Sequence, residues 1–171
     1  MRRRGVIAAR AGGGTGGVDR GRDEFADAFE AAFARLQVEI ESVCPADVPW
    51  PKRVAAAVRA SLDFAAAHPD AAQTMTNDAM AEGAEGFARY DRVIEHFGEM
   101  LLPGRAERPG GKELPEITEK LMVGGLATLI AQRLDYGRHV ELPSLAHEAI
   151  QFVLTPYVGV EEARRIAAAE S

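Results

Sequence analysis

The chain has 171 residues with a formal net charge of −6, and 47% of its residues are hydrophobic. This hydrophobic share can bury a core, which excludes a chain disordered along its whole length and favours one main domain. The acidic balance argues against a nonspecific binder of nucleic acid or anionic membrane, because such proteins displace counterions with a basic surface. The single cysteine, Cys44, excludes an intramolecular disulfide framework and favours a reducing cytoplasm.

The first segment, residues 1–22, is rich in glycine and arginine and lacks a sustained apolar period, so we predict that it is flexible. Gly12, Gly14 and Gly17 have the G-x-G-x-x-G spacing of dinucleotide-binding loops. That motif needs a strand before it and a second strand after its helix, whereas only helical patterns follow here. We expect no dinucleotide site.

Targeting signals are also missing from the sequence pattern. The apolar run Val6–Ala9 is too short for the core of a signal peptide. No apolar run reaches the roughly 20 residues that a membrane span requires. We expect a cytoplasmic protein without a membrane partner.

Two amphipathic helices follow. The first is predicted over residues 23–43, with an apolar residue at every third or fourth position: Phe25, Phe29, Phe33, Leu36, Ile40 and Val43. The second is predicted over residues 51–67, where His68-Pro69 ends it. Its inward face consists of Val54, Val58, Leu62 and Phe64.

A short helix is predicted over residues 70–81, and a longer one follows from Phe87 until Pro103-Gly104 stops it. Residues 104–115 are polar and rich in glycine, which indicates a surface connection. Methionine and aromatic side chains such as Met75 and Tyr90 point into the same bundle. They form either plain core or the lining of a cavity, since methionine adapts to irregular apolar guests.

The stretch Leu114–Gly137 predicts a helix with Pro115 in its first turn and Gly137 at its end. Residues 121–131 are apolar on nearly every side, so this helix must be buried against two partners. Gly124 and Gly125 each cost about 0.8 to 1 kcal/mol in a helix relative to alanine. Close approach of another backbone would compensate that cost.

Residues 142–159 predict the next helix, which would form a hairpin with the preceding one. Two such hairpins related by a two-fold axis would bury their apolar faces as a four-helix bundle. The alternative is that both helices form the middle of a monomeric core. The predicted interface consists of Leu121, Gly124, Gly125, Thr128, Leu145, Ala149, Ile150 and Val153.

Several long segments resemble TetR-like transcriptional regulators. LPEITEKLMVGGLATLIAQRL and ELPSLAHEAIQFVLTPYVG, followed by EEARRIAA, are similar to the C-terminal half of that family, whose last long helices form the dimer interface. The resemblance runs from about Glu24 to Ala168 and includes WPKRVAAAVRASLDFAAAHPDAA and GFARYDRVIEHFGEML. It implies that residues 23–171 form an all-α, antiparallel helical bundle with a C-terminal two-helix dimerisation hairpin.

The same resemblance implies a homodimer that binds a small apolar effector. Effector binding would shift the helix over residues 23–43 and change how a DNA-binding module is spaced on its operator. The implied pocket residues are Phe29, Phe33, Met75, Tyr90, Phe97, Met122 and Leu126.

This sequence departs from the family's usual pattern in the segment that would correspond to its DNA-reading part. VIAARAG, residues 6–12, is similar to the end of the helix that precedes the recognition helix, but GGTGGVDRGR stands where that helix would follow. Glycines in series do not support a recognition helix. We predict a degenerate remnant of a helix-turn-helix module at residues 1–22, and operator DNA as a partner only where that module is complete. The alternative is a ligand-binding or heterodimerising partner protein without DNA function.

Catalytic and metal-binding patterns do not occur in the sequence. None of its histidines, His68, His96, His139 and His147, has the spacing of a metal site such as H-E-x-x-H. The sequence also lacks the G-x-S-x-G and S-x-x-K motifs of nucleophilic enzymes. We therefore expect no enzyme, no metal and no cofactor.

Overall fold

The computed structural model describes residues 15–45, 47–107 and 113–170. Every regular element in these ranges is helical and none is a strand, which confirms the all-α prediction. The α-helices are α1 Thr15–Val43, α2 Trp50–Ala67, α3 Pro69–Gln73, α4 Ala79–Ala81, α5 Ala84–Glu99, α6 Thr118–Asp135, α7 Ala146–Val158 and α8 Val160–Ala169. A π-helical segment Thr74–Asp78 joins α3 to α4, and 3-10 helices occupy Leu102–Ala106 and His139–Leu145.

Helix α1 begins at Thr15, earlier than the predicted start at Asp23. Gly16, Gly17 and Gly21 lower helix propensity there, which is why the sequence indicated flexibility. Extending an existing helix fixes one residue for each new hydrogen bond, whereas nucleating a helix fixes several for one bond. The amphipathic core of α1 supplies the nucleus, so the glycine-containing turns can join it. The predicted remnant's residues 1–14 lie outside the described part of the chain.

The boundaries of α6 follow from local hydrogen bonds. The helix starts at Thr118, after the predicted Pro115, because the Thr118 amide and hydroxyl both donate to the Pro115 carbonyl, at 3.0 and 2.7 Å, in a turn before the helix. Its last residue is Asp135, with Tyr136 at the C-cap, and the predicted terminator Gly137 follows with φ +64. There the Arg138 amide donates to the carbonyl of Arg133 at 2.8 Å, a Schellman-type ending that favours glycine.

The core consists of two neighbouring clusters of buried side chains. The first joins α1, α2, the π-helical segment and α5 around Phe29, Phe64 and Val93. The second joins α2, α7 and α8 around Leu62 and Ile150. Helix α2 contributes to both clusters and thereby holds the two halves of the domain together.

The predicted pairing of the last two long helices is looser than expected. Helix α7 packs mainly against α8 and α2, whereas α6 packs mainly against α5. Ile150 and Val153, predicted to face a second subunit, are 0% and 2% exposed within this single chain. Both belong to the core cluster that α7 shares with α2 and α8, and their role at an interface stays a prediction.

Candidate functional site

An apolar cavity of about 110 Å³ lies where the two core clusters meet. Helices α1, α2, α5 and α6 form most of its wall, and α3, the π-helical segment and α7 close it. The lining residues are Leu36, Ile40, Val54, Ala57, Val58, Ser61, Phe64, Ala65, Ala72, Met75, Thr76, Tyr90, Val93, Ile94, Phe97, Met100, Leu101, Val123, Leu126, Ala127, Ile130 and Val153.

The few polar groups in this lining already have partners. The Ser61 hydroxyl donates to the Ala57 carbonyl at 2.8 Å, and the Thr76 hydroxyl donates to the Ala72 carbonyl at 2.7 Å. Burial raises the pKa of Tyr90, and its interaction with Thr128 opposes the rise. A guest inside the cavity therefore finds only apolar contacts, and a polar group placed there would lose its hydrogen bonds to water.

The structure brings together four of the seven predicted pocket residues. Met75, Tyr90, Phe97 and Leu126 line the cavity. Whether they contact a ligand stays a prediction.

The other three predicted pocket residues do not line the cavity. Phe29 is fully buried in the core around α1. Phe33 packs edge-on against His96 and Phe97, with ring centroids 5.4 and 6.0 Å apart. Met122 packs against the second core cluster. Helical periodicity identifies inward-facing residues, but not which of them border unfilled space.

Several lining residues were not predictable from the sequence, because small side chains leave the space that forms the cavity. Ala57 of α2 and Ala127 of α6 both line the cavity. The π-helical segment places Met75 and Thr76 at the cavity, and such segments recur at functional sites. Its Asn77 donates to the Ala131 carbonyl at 3.1 Å and so ties the segment to α6.

A groove of about 420 Å³ opens beside the cavity, between the end of α1, the start of α2 and the end of α5. It shares Ile40, Val54, Phe97 and Met100 with the cavity, so these side chains form the boundary between the two spaces. The remaining lining residues are Gln37, Glu41, Cys44, Trp50, Arg53, His96 and Pro103.

Polar groups are concentrated in this groove. The Cys44 thiol donates to the Arg53 carbonyl at 3.3 Å. Burial raises the pKa of that thiol, and the positive charge of Arg53 opposes the rise. The side chains of Gln37 and His96 are hydrogen-bonded at 3.1 Å. The groove thus carries more polar groups than the adjoining cavity, although most of its lining is also apolar.

A second surface feature lies between α6 and α7, where Gly125, Leu129, Leu145 and Phe152 line a shallow groove of about 320 Å³. Phe152 is 50% exposed, and Leu121 on the same side of α6 is 58% exposed. Among the predicted interface residues, Gly125 and Thr128 are also exposed, and Gly124 and Leu145 are half-buried. Ala149 is buried but borders the groove.

The two glycines of α6 have no tight neighbour within the chain. A Cβ at Gly124 would meet nothing within 4 Å, and one at Gly125 would meet the Phe152 ring at 3.5 Å, an ordinary contact. Packing against the described part of this chain therefore does not require glycine at either position.

Ionisable side chains do not form a catalytic constellation around the cavity. Of the described residues that line it, Tyr90 is the one with an ionisable side chain. Within the same described ranges, no group of three or more His, Cys, Asp or Glu residues could hold a metal ion. None of the helices found there combines the length and apolar character needed to cross a membrane.

No protein-family model, curated protein or solved structure matches this chain. The resemblance to TetR-like regulators therefore stays a prediction from the sequence segments quoted above.

Proposed function

We propose that this chain is the effector-binding and dimerisation domain of a TetR-like regulator, with its DNA-reading helix missing or disrupted, and that it acts in the cytoplasm. The observation that carries the proposal is the apolar cavity between α1, α2, α5 and α6. The sequence resemblance supplies the regulatory context. No cofactor takes part in this function.

The size of the cavity limits its occupant. Its volume of about 110 Å³ is close to that of an engineered apolar cavity of about 150 Å³ that stays dry and binds benzene. A single aromatic ring or a short aliphatic chain is the matching guest. Because the lining hydroxyls already have partners, affinity comes from burying apolar surface, at about 25 cal/mol per Å².

Helix α1 gives an occupant a route to affect distant structure. It contributes Leu36 and Ile40 to the cavity wall and continues without interruption to Thr15. From Ile40 to Arg20 a helix spans roughly 30 Å at 1.5 Å per residue. Residues 20–24 are exposed, so this end of α1 lies at the surface. A ligand that prefers one position of α1 would shift the population toward that position.

The exposed surface of α6 and α7 supports a homodimer. Leu121, Gly125 and Phe152 form an apolar surface that the described part of this chain does not cover. Within the described part of the chain, no close contact compensates the helical cost of Gly124 and Gly125. A second copy packed around a two-fold axis would cover the surface and bring a backbone close to both glycines.

A thermal-shift screen of small apolar compounds tests ligand binding directly. A binder present at about 100 times its Kd stabilises the folded state by about 2.7 kcal/mol. We expect single-ring aromatics and short aliphatic compounds to raise the melting temperature in a saturable manner, whereas strongly polar compounds of the same size should not. The cavity assignment fails if no apolar compound changes the melting temperature.

A second candidate is a ligand-binding or heterodimerising protein without DNA function. It is favoured by one observation: the residues from Thr15 onward, which stand where the recognition helix would be, continue into α1 instead of forming a separate helix. A gel-shift assay with DNA upstream of the gene discriminates the two. A specific band supports an intact regulator, and its absence together with a heterodimer in pull-downs supports the second candidate.

A further inference from the structure

Arg53 differs from the other half-buried arginines in lacking a polar partner. Arg105 and Arg133 each contact a carboxylate, and Arg59 donates to the Glu170 carbonyl. In contrast, the guanidinium of Arg53 makes no hydrogen bond or ion pair within the described ranges. Its buried Nε is unsatisfied there, as are those of Arg59 and Arg133, but these two arginines have a partner at another guanidinium nitrogen. A buried donor without an acceptor destabilises the folded protein, so this position favours an acceptor from outside the chain.

The surroundings of Arg53 add to its positive potential. It lies near the start of α2, which has no acidic residue in its first turn and no side-chain cap at its N-terminus. The positive end of the helix dipole is therefore not neutralised by either device. Glu41 is the carboxylate among the described residues of the groove; it is exposed and makes no ion pair with Arg53. The Cys44 thiol already donates its hydrogen bond to the Arg53 carbonyl.

The groove with Arg53 and the apolar cavity are next to each other. Phe97 and Met100 belong to both linings, and both are only half-buried. Methionine is unbranched and changes rotamer readily, so Met100 can move aside for a chain that passes from groove to cavity. The pair of spaces thus offers a cationic polar end and an apolar end.

We propose that the ligand is an amphiphilic carboxylate, whose aliphatic or aryl chain occupies the cavity while its carboxylate is hydrogen-bonded by Arg53 in the groove. This inference rests on the proposed ligand-binding function and names its ligand class. A guanidinium matches a carboxylate in geometry and charge, and such charge-assisted bonds are stronger than neutral ones. The apolar lining then selects the chain, and Arg53 selects the head group.

The test compares octanoate with 1-octanol at neutral pH, with Trp50 fluorescence as the signal. Trp50 is the chain's single tryptophan and lines the groove. We expect octanoate to bind about tenfold more tightly than octanol or better, which is the size of one charge-assisted hydrogen bond. Arg53→Gln should remove this preference and leave octanol affinity unchanged.

Two further variants control for charge and folding. Lys52→Gln makes the same change of charge on the neighbouring exposed residue and should keep the octanoate preference. Arg53→Lys keeps the positive charge but not the planar fork, and should retain part of the preference. If a variant fails to fold, the comparison of octanoate with 1-octanol on the wild-type protein still tests the preference for a carboxylate.

The outcomes separate this inference from the function on which it rests. Equal binding of octanol and octanoate by the wild-type protein, or an unchanged ratio in Arg53→Gln, overturns the carboxylate site but leaves the cavity as an apolar ligand site. If neither compound binds and no apolar compound raises the melting temperature, both proposals are wrong. A loss of preference in Lys52→Gln equal to that in Arg53→Gln also overturns the assignment to Arg53.

Discussion

Arg105 donates two hydrogen bonds to the carboxylate of Glu119, from Nε to Oε1 at 2.8 Å and from Nη2 to Oε2 at 2.7 Å. Glu119 is 5% exposed and also accepts a bond of 3.1 Å from the Tyr157 hydroxyl. Arg105 further donates to the carbonyls of Leu114 and Pro115, both at 2.8 Å. These bonds join the start of α6 to the 3-10 helix Leu102–Ala106 and to α7, and so fix the α6 wall of the cavity.

Removing Arg105 and removing Glu119 should lower the free energy of unfolding by different amounts. Arg105→Met leaves the Glu119 carboxylate without its cation in a buried position, so we expect a clear loss of stability. Glu119→Gln leaves Arg105 in contact with two carbonyls and partly with solvent, so its effect should be smaller. Urea unfolding of the two variants measures the difference. The order would be reversed if the carboxylate were accessible to water.

The pair also predicts a pH dependence of stability. Burial alone would raise the pKa of Glu119, but the hydrogen bonds from Arg105 and Tyr157 hold it below its usual value. The stabilisation is therefore complete above the unfolded-state pKa of about 4.3 and is lost as the pH falls through the lower folded-state value. We expect wild-type stability to decline more steeply below about pH 4 than that of Glu119→Gln. Acid denaturation profiles with the same slope for the wild-type protein and Glu119→Gln would contradict this expectation.

Filling the cavity should abolish ligand binding without unfolding the protein. Ala127→Leu adds three carbons to the α6 wall, where unfilled space is present. We expect affinity for single-ring and short-chain compounds to fall about tenfold or more, while the melting temperature stays the same or rises. Ala168→Leu is the matched control, because it makes the same change on an exposed position of α8. Equal affinities in both variants would place the ligand elsewhere.

Substitutions of the α6 glycines test whether a second subunit covers the exposed surface of α6 and α7. Within this chain, Gly124→Ala meets no neighbour and should raise helix stability by about 0.8 to 1 kcal/mol. Gly125→Leu adds a large side chain at an exposed position beside Phe152. If a twin subunit packs there, Gly125→Leu should convert the dimer to monomer or aggregate in sedimentation velocity. A Gly125→Leu dimer of unchanged strength would argue against this interface.

The sequence predicted the helices better than it predicted their neighbours. The apolar period of α1 located its buried face, and Gly137 marked the end of α6, because both signals are local. The partners of α7 depend on the path of the whole chain, so the sequence did not reveal that Ile150 and Val153 are buried in the core that α7 shares with α2 and α8. Local periodicity does not show which element packs against a given face of a helix.

The cavity was predictable in its chemistry but only partly in its membership. Met75, Tyr90 and Phe97 line it, whereas Phe29 fills the neighbouring core. A cavity is defined by volume that side chains leave empty, and that volume depends on small residues such as Ala127 as much as on large ones. Arg53 gave no signal in the sequence, because an arginine's lack of a partner is visible only in three dimensions.

The measurement that most directly tests ligand binding in this cavity uses the methyl signals of the chain's methionines. Met75 and Met100 line the cavity, whereas Met80 is exposed on α4. In a titration of methyl-labelled protein with benzene, we predict saturable shifts of the Met75 and Met100 signals and an unchanged Met80 signal. Shifts that do not saturate, or that occur at Met80 and not at Met75 and Met100, would contradict the account.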